Sequence, residues 1–301
     1  MGKREDNDNR VIVLAEEYLE RLKARRYSPN SVETYGRAIR DFAEHIGKRD
    51  ARAVTGRDLE QYRSGLLDRK FKAASIAVYF RAVKLLFRHL EENQIIFDNP
   101  AAGLPAMRKP SLLQPVPTEE EMQILLHRPN TATATGMRNR ALLETLYSTG
   151  LRRQEALDLK VSSLNLQEGR VRVMGKGQRE RVVPVGNEAL QWLEKYLADV
   201  RPAWAHSKSG DALWIGFRGQ PLGYEALEQI LKLYRSAPGI TTRIGLHSIR
   251  RACATHMLRR GASPVAIQAL LGHSALKHLS QYLKVTVTDL KQAHGESRVG
   301  Q

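Results

Sequence analysis

The sequence predicts a mainly helical protein of two domains, the second of which contains a small β-sheet. The 301 residues suit two domains better than one, and 42% of them are hydrophobic, which is ample for two cores. Along most of the chain, apolar residues recur at three- and four-residue spacings, the pattern of amphipathic helices. Residues 98–117 hold five prolines and show no clear period, so the connection between the domains is placed there.

The first domain, residues 1–104, is predicted to consist of four short helices. One spans about residues 10–26. The next follows Ser28-Pro29, where a capping serine precedes a proline at the first helical position. A third begins near Thr55, which forms a capping-box pattern with the aspartate three residues later. The fourth covers about residues 72–92 and carries an apolar stripe on one face.

The fourth helix also carries a basic stripe, formed by Arg81, Lys84 and Arg88. Residues at these spacings lie on one face of a helix. Such a stripe is either a solvated surface or a contact to a polyanion, and the residues alone leave both interpretations open. We therefore treat the stripe as a candidate surface for binding a polyanion such as nucleic acid.

A linker at residues 105–117 is predicted to lead to the second domain, residues 118–301. The stretch RVRVMGKGQRERVVPV (170–185) consists of two alternating or β-branched runs around Gly175-Lys176-Gly177, which predicts a β-hairpin. Thr118 and the three glutamates after it start a helix with a capping box. Helices are predicted at 118–128 and 137–149, from about 152, and at 187–200, 223–235, 246–260, 264–271 and 275–284.

Charge is the most informative property of the composition. Lysine and arginine number 48 against 32 aspartates and glutamates, a net charge of +16, and both halves of the chain are basic. A dispersed surplus of this size favours a polyanionic partner, most simply nucleic acid. A basic protein without such a partner is the alternative that charge leaves open.

The composition also bears on cellular location. No apolar run approaches the roughly 18 residues of a membrane span, and the first ten residues do not resemble a signal peptide. Cys253 is the one cysteine, so no internal disulfide is possible, and this usage fits a reducing cytoplasm. We expect a cytoplasmic, nucleoid-associated protein without a membrane partner.

Several polar residues stand where a purely structural chain would not need them. In GLHSIRRACATHML (245–258), His247 and Arg250 lie one turn apart at the head of an otherwise apolar helix. Each candidate has an ordinary structural explanation when it is taken alone. Those explanations are a surface ion pair for Arg152 and Glu155, a common turn for Gly175-Lys176-Gly177, a core histidine for His273, and a core tyrosine for Tyr282.

The order and spacing of these residues together closely resemble the tyrosine recombinase family of DNA strand-exchange enzymes. The motifs are Arg-x-x-Glu, a Gly-Lys-Gly hairpin, His-x-x-Arg, Leu-Gly-His and a tyrosine nine residues further on. The resemblance spans about residues 145–295 and extends to the helical domain and linker before it. It implies a helical, SAM-like core-binding domain followed by an α+β catalytic domain.

The resemblance implies a specific reaction. Tyr282 would attack a DNA phosphate to give a 3′-phosphotyrosyl enzyme and a free 5′-hydroxyl, and a second strand would reverse this step on a new partner. The bond energy stays in the phosphotyrosine, so neither ATP nor a metal is required and no cofactor is expected. The outcome would be integration, excision or resolution of DNA.

The implied roles agree with the chemistry of phosphoryl transfer, which requires mainly positioning and cations around the phosphate oxygens. Arg152 and Arg250 would clamp the phosphate, because a guanidinium fork binds two oxygens at once. The other implied roles are a phosphate hydrogen bond from His273, a general acid in Lys176, a proton acceptor in His247 and support of the arginines by Glu155.

The resemblance also implies partners. These are double-stranded DNA with inverted-repeat core sites and a homotetramer on paired sites, formed alone or with a related recombinase. The tail after the nucleophile, residues 285–301, would either cover its own domain or dock into a neighbouring subunit.

Small departures from the family pattern leave the biological role open. Arg153-Gln154 replaces an aliphatic residue and a serine, and Arg251 replaces a histidine common in Xer-type relatives. A mobile-element integrase or resolvase is therefore as compatible as a chromosome-dimer resolvase, and the extra arm-binding domain of many phage integrases is not expected. The alternative functions are a type IB topoisomerase, a DNA-binding protein with a decayed site and, remotely, a zinc protein using His247, Cys253, His256, His273 and His278.

Overall fold

A computed structural model describes residues 9–25, 27–104, 115–175 and 179–272 of the chain. Internal contacts divide the chain into two units, Met1–Leu112 and Leu113–Gln301. The described part is mostly helical and contains a three-stranded sheet, so the predicted fold class is confirmed. The division falls inside the predicted linker. No helix among these described ranges is both long and apolar enough to cross a membrane.

The described part of the N-terminal unit contains four α-helices, two of which begin at a side-chain cap. Ser28 precedes the second helix, and its Oγ accepts a hydrogen bond from the Ser31 N–H at 3.3 Å. Thr55 and Asp58 form a complete capping box at the third helix. The four helices are α1 (Val11–Ala24), α2 (Pro29–Ile46), α3 (Gly56–Asp68) and α4 (Ala73–Glu92).

Aromatic side chains form the centre of this unit. Phe42 of α2 contacts Tyr62 of α3 and Phe87 of α4 in edge-on geometry, with ring centroids 5.1 and 5.7 Å apart. All three rings are buried, so the apolar stripes of these helices face one shared core.

The basic stripe of α4 contains residues in different environments. Arg81 and Arg88 are exposed, and Arg88 forms an ion pair with Glu92 one turn later, with an N–O distance of 3.2 Å. Lys84 is half-buried and donates a hydrogen bond to the backbone carbonyl of Leu104. Lys84 therefore also ties α4 to a later segment of the same unit.

The C-terminal unit surrounds one core with helices and a small sheet. Its β-hairpin is the one predicted at 170–185, and the register pairs Val171 with Val183 and Val173 with Arg181. A short third strand, which the sequence did not predict, completes an antiparallel sheet of order β1-β2-β3. The elements are α5 (Glu119–His127), α6 (Ala134–Thr149), α7 (Arg153–Leu157), β1 (Leu164–Asn165), β2 (Arg170–Met174), β3 (Glu180–Pro184), α8 (Asn187–Lys195), α9 (Arg201–Trp204), α10 (Tyr224–Tyr234), α11 (Leu246–Arg259) and α12 (Pro264–Leu271).

Two predicted helices differ from the observed ones. The helix predicted at 137–149 begins at Ala134, because the hydroxyl of Thr133 accepts a hydrogen bond from the Gly136 N–H and caps an earlier turn. The helix predicted at 187–200 changes into a π-helical turn at Tyr196–Val200. The Tyr196 hydroxyl donates to the carbonyl of Leu213 at 2.9 Å, a distant contact that a local pattern cannot reveal. The helix predicted at 275–284 lies outside the described residues.

Helix α6 lies in the middle of the unit and buries polar side chains as well as apolar ones. Arg140 and Glu144 are both nearly inaccessible and form an ion pair with an N–O distance of 2.7 Å. Asn139 donates a hydrogen bond to the hydroxyl of Tyr234 at 2.8 Å. Because these buried polar groups are hydrogen-bonded, α6 can be packed on most of its sides. Its C-terminal end is therefore held in place where the chain enters the candidate site.

Candidate active site

Gly150 ends α6 and turns the chain toward the candidate site. Its φ is 58°, in the left-handed region that glycine adopts without a Cβ penalty. A Cβ built at this position would lie 2.7 Å from Cδ2 of Leu271 and 3.2 Å from Sγ of Cys253. Glycine is therefore required both by the backbone conformation and by the close approach of α11 and α12.

Arg152 and Glu155 meet at the start of α7. The backbone N–H of Arg152 donates to Oε2 of Glu155 at 2.8 Å, and its Nη1 donates to Oε1 at 2.7 Å. The carboxylate is 6% exposed, whereas the Arg152 side chain is 32% exposed. The pair is therefore not a solvated surface ion pair. A buried carboxylate holds a partly exposed arginine in one orientation.

Arg250 of α11 reaches the same carboxylate from the other side. Its Nη1 lies 4.0 Å from Oε2 of Glu155 and donates to the Gly150 carbonyl at 2.6 Å. Its Nη2 donates to the Leu271 carbonyl at 2.6 Å. The guanidinium therefore connects the end of α6 with the end of α12. The structure brings together Arg152, Arg250 and Glu155, as the predicted roles require.

His247 occupies the first turn of α11, one turn before Arg250. Its side chain is exposed to solvent. The segment before this helix is held by Glu121 of α5, whose Oε1 accepts hydrogen bonds from the backbone N–H groups of Thr241 and Thr242, both at 2.7 Å. The sequence marked this glutamate only as part of a capping box. Its long-range contacts show that it also supports the approach to α11.

Arg181 of β3 is a member of the site that sequence reasoning missed. Its Nη1 and Nη2 donate to the two oxygens of Glu155 at 3.0 and 2.8 Å, and its Nε donates to the Leu270 carbonyl at 3.2 Å. One signal was present in the sequence. Arg181 occupies an inward position of a strand whose other inward residue is Val183, and a charged residue on an apolar face needs a buried partner.

Three arginines therefore surround one carboxylate, and the cluster keeps an excess of positive charge. Burial raises the pKa of the Glu155 carboxyl, but hydrogen bonds from Arg181 and Arg152 outweigh this effect and hold the pKa at about 2. Glu155 thus stays ionised at working pH and accepts four hydrogen bonds, two on each oxygen. The arrangement suits an anionic phosphate, which guanidinium groups bind through paired N–H donors.

The lowered pKa values of the buried carboxyls of Glu121 and Glu155 lead us to expect a loss of stability in acid. Burial raises the pKa of Glu121, but backbone hydrogen bonds from Thr242 and Thr118 hold it at about 2, below the ordinary 4.5. Because the folded-state pKa is lowered, the stabilisation is complete above pH 4.5 and is lost as the pH falls toward 2. Chemical denaturation at several pH values should show a free energy of unfolding that decreases over this range.

The matched variants for this prediction are Glu121→Gln and Glu194→Gln, which removes an exposed carboxylate from α8. Glu121→Gln should be less stable at neutral pH and should show a shallower dependence on pH in acid. The Glu194→Gln curve should follow that of the unaltered protein. Equal acid slopes for all three proteins would contradict the assignment.

Arg153 and Arg251, two residues that depart from the family pattern, both make contacts in the structure. The guanidinium carbon of Arg153 lies 3.7 Å from the ring centroid of Tyr224, which begins α10. This cation–π contact joins α7 to α10 directly beside Arg152. Arg251 donates to the carbonyl of Pro115 at 3.4 Å. Neither Arg153 nor Arg251 takes the place of an arginine that contacts Glu155.

Three predicted site residues, Lys176, His273 and Tyr282, lie outside the described residues. Their described neighbours are informative for two of them. The Gly175 N–H donates to the Arg179 carbonyl at 2.8 Å, so the two residues that flank positions 176–178 are hydrogen-bonded to each other. Gly272, with a φ of 84°, ends α12, and a Cβ built there would lie 3.7 Å from Nη1 of Arg152.

The candidate zinc ligands in the described part have other surroundings. Cys253 is buried, and burial raises the pKa of its thiol to about 12, which disfavours the thiolate that binds metals. Nδ1 of His256 forms a hydrogen bond with the Tyr147 hydroxyl at 2.8 Å. Among the described residues, no group of three or more histidine, cysteine or acidic side chains is arranged to hold a metal ion.

Comparison with known proteins gives a consistent result. The model of the phage integrase family matches residues 116–288, and the model of the phage integrase N-terminal SAM-like domain matches residues 14–96. The tyrosine recombinase XerD of Vibrio cholerae is 32% identical over 287 residues, which cover 94% of this chain and 95% of that relative.

Solved structures show the same fold. A lambda integrase dimer bound to a COC′ core site superposes with a TM-score of 0.74 at 19% identity, covering 90% of this chain and 94% of that chain. A lambda integrase tetramer bound to a Holliday junction gives the same TM-score and identity, with coverage of 92% and 78%.

The two-part fold, the arginine cluster and these matches define the class as an enzyme of DNA strand exchange. The chain belongs to the phage integrase family of tyrosine recombinases. Its activity is site-specific DNA recombination by the tyrosine mechanism, and its partner is DNA. The predicted family and function are therefore confirmed, and the comparisons do not favour the topoisomerase or zinc alternatives.

Proposed function

We propose that this recombinase exchanges strands between two paired DNA sites, each built from inverted core repeats, with Tyr282 as the nucleophile. The observation that carries the proposal is the convergence of Arg152 and Arg250 on the buried carboxylate of Glu155. Two preoriented guanidinium groups at the heads of two helices are what a phosphoryl-transfer site needs to neutralise charge on the phosphate oxygens.

In the proposed reaction, the phenol oxygen of Tyr282 forms a bond to phosphorus while the bond from phosphorus to the 5′-oxygen breaks. His247 accepts the phenol proton, and Lys176 donates a proton to the departing 5′-oxygen. His273 donates a further hydrogen bond to the phosphate. The product is a 3′-phosphotyrosyl bond, which the 5′-hydroxyl of a second strand attacks to release the tyrosine. The energy of the broken bond is retained, so ATP is not consumed.

Protonation states explain why cations are needed here. An ordinary tyrosine has a pKa of about 10, so its phenol is neutral at working pH. Positive groups near the phosphate favour the developing phenolate and the charge of the transition state. The excess positive charge of the arginine cluster supports this role, and His247 is exposed in the same helix as Arg250.

We also propose that four protomers act on two sites, with the tail after Tyr282 docking into a neighbouring subunit. Support comes from the lambda integrase structures, which contain a dimer on a core site and a tetramer on a Holliday junction. Linking each active site to a neighbour would restrict cleavage to the assembled complex.

A chain truncated after Lys284, which keeps Tyr282, tests this assembly. DNA sites can first be recovered by covalent capture from a random pool of duplexes, and inverted repeats are expected in them. We expect the truncated chain to bind one site as the intact chain does, but to lose cooperative assembly and recombination. Native gel shifts and strand-exchange assays measure both. Normal assembly and exchange by the truncated chain would contradict tail docking.

The basic stripe of α4 is proposed to contact the DNA backbone. Removing a phosphate contact lowers the slope of log K against log salt by about 0.9. We expect Arg81→Gln and Arg88→Gln together to weaken binding and reduce this slope, as measured by fluorescence anisotropy. Adding Lys84→Gln should also lower the melting temperature, because Lys84 bonds to the Leu104 carbonyl.

The matched control for the stripe is a double variant on α2, Arg37→Gln and Arg40→Gln. These arginines are exposed and pair with Glu33 and Glu16. The control should keep the salt slope of the intact protein. If the stripe variant also keeps that slope, the stripe is a solvated surface.

A further inference from the structure

Within the described strands β2 and β3, one charged residue lies on the inner face of the β-hairpin. Along β2 and β3, the positions that face the core are Val171, Val173, Arg181 and Val183, and the three valines are fully buried. Arg181 is 17% exposed. Placing a guanidinium on an apolar sheet face is costly unless it is paired and hydrogen-bonded, so the contacts of Arg181 indicate what it contributes.

Arg181 joins three elements of the site with one planar group. Its two Nη atoms bind the two oxygens of Glu155 in α7, and its Nε binds the carbonyl of Leu270 near the end of α12. The next carbonyl, that of Leu271, accepts from Arg250. Two consecutive carbonyls at this helix end are therefore held by two arginines, immediately before Gly272.

We propose that Arg181 is a positioning residue for strand cleavage, which locks the hairpin to the Glu155–Arg152 pair and to the end of α12. The proposal rests on the roles given above to Arg152 and Lys176. Arg181 does not touch the phosphate in this scheme. It keeps Arg152 in one orientation and joins it to the hairpin whose tip carries the general acid.

The hydrogen bonds of Glu155 show why one arginine matters. Each carboxylate oxygen accepts one bond from Arg152 and one from Arg181. Without Arg181, the buried carboxylate would lose two of its four donors, and Leu270 would lose its Nε–H partner. A bidentate fork cannot be replaced by the single ammonium of lysine, which cannot reach both oxygens and the carbonyl together.

The loss would also change the protonation of Glu155. In the described part, the charged groups that face it are Arg152 at the head of α7, Arg181 on β3 and Arg250 on α11. Burial favours the neutral carboxyl, so removing Arg181 raises the pKa of Glu155. A protonated Glu155 cannot accept from Arg152 on both oxygens as the carboxylate does, and Arg152 loses its orientation as the pH falls.

The test compares Arg181→Gln and Arg181→Lys with Arg172→Gln. Arg172 lies on the outer face of the same hairpin, is exposed and contacts Glu180 and the Ser162 carbonyl, so it controls for loss of an arginine from the sheet. Single-turnover formation of the covalent adduct is measured on nicked suicide duplexes at saturating protein, across a range of pH. DNA affinity and melting temperature are measured in parallel.

We expect Arg181→Gln to cleave roughly 10²-fold more slowly, as misplacement of a catalytic group does, with little change in affinity for a single site. Its rate should fall further in acid, at a pH where the unaltered protein shows no such decrease. Arg181→Lys should recover part of the rate and shift the acid limb back. Arg172→Gln should match the unaltered protein in rate and pH profile.

Several outcomes would overturn the proposal. One is an Arg181→Gln rate and pH profile equal to those of Arg172→Gln. Should Arg181→Gln fail to fold, a folded Arg181→Lys protein with unaltered rate and profile has the same meaning. Arg152→Ala separates this proposal from the proposed function. If Arg152→Ala cleaves normally, the active-site assignment is wrong. If it is inactive while Arg181→Gln is normal, only the positioning role is wrong.

Discussion

Tyr282→Phe is expected to abolish the covalent protein–DNA adduct while DNA binding stays close to that of the intact protein. The substitution keeps the aromatic ring and deletes only the oxygen that would bond to phosphorus. Without a nucleophile no cleavage step is available, so the loss should be complete rather than partial. Denaturing gels of labelled suicide duplexes detect the adduct, and fluorescence anisotropy measures binding.

Tyr224→Phe is the matched control for this experiment. Tyr224 is a partly exposed tyrosine whose ring stacks with Arg153, next to Arg152, and phenylalanine preserves that contact. We expect this variant to form the adduct at the normal yield. An undiminished adduct yield in Tyr282→Phe, or loss of the adduct in Tyr224→Phe alone, would show that Tyr282 is not the nucleophile.

Arg250→Ala is expected to produce the second-largest effect, a loss of about 10²–10³-fold in the cleavage rate. The guanidinium is proposed to stabilise charge that develops on the phosphate. Its hydrogen bonds to the Gly150 and Leu271 carbonyls add a structural contribution, so a lower melting temperature should accompany the lower rate. Single-turnover cleavage and thermal unfolding separate the two effects.

Arg250→Lys and Arg259→Ala complete this experiment. Lysine keeps one positive charge but cannot reproduce the fork that spans two carbonyls, so we expect a rate between those of alanine and arginine. Arg259 lies in the last turn of the same helix and is exposed, so Arg259→Ala should cleave normally. Normal cleavage by a folded Arg250→Ala protein would show that Arg250 has no catalytic role.

Much of the fold could be predicted because its signals are local. Ser28, Thr55 and Thr118 begin helices through hydrogen bonds to residues three positions later, and all three caps are present. Helix α12 has the predicted bounds, because a serine cap and Pro264 begin it and Gly272 ends it. The early start of α6 and the π-helical turn were missed. Tyr196, which begins this turn, donates a hydrogen bond to the distant carbonyl of Leu213, a contact that a local pattern does not reveal.

For the candidate site too, the sequence predicts the contacts between nearby residues and not those between distant ones. The spacing of Arg152 and Glu155 places them one turn apart, and the same holds for His247 and Arg250, so each pair could be predicted from the chain. The pairing of Arg181 with Glu155 could not be predicted, because 26 residues separate them and the two side chains meet only after the hairpin packs against α7. Nor could the burial of Glu155 be read from the sequence, which allowed a solvated ion pair.

Short-range patterns in the sequence specify the helices, the hairpin and the ordered set of residues that resembles a tyrosine recombinase. Hydrophobic periodicity, caps and turns act over a few residues, so they leave a clear trace in the chain. The convergence of three arginines on one buried carboxylate comes from packing between α7, β3, α11 and α12. Such long-range contacts depend on how the elements meet in space, and burial then sets the charge and hydrogen bonding of each group.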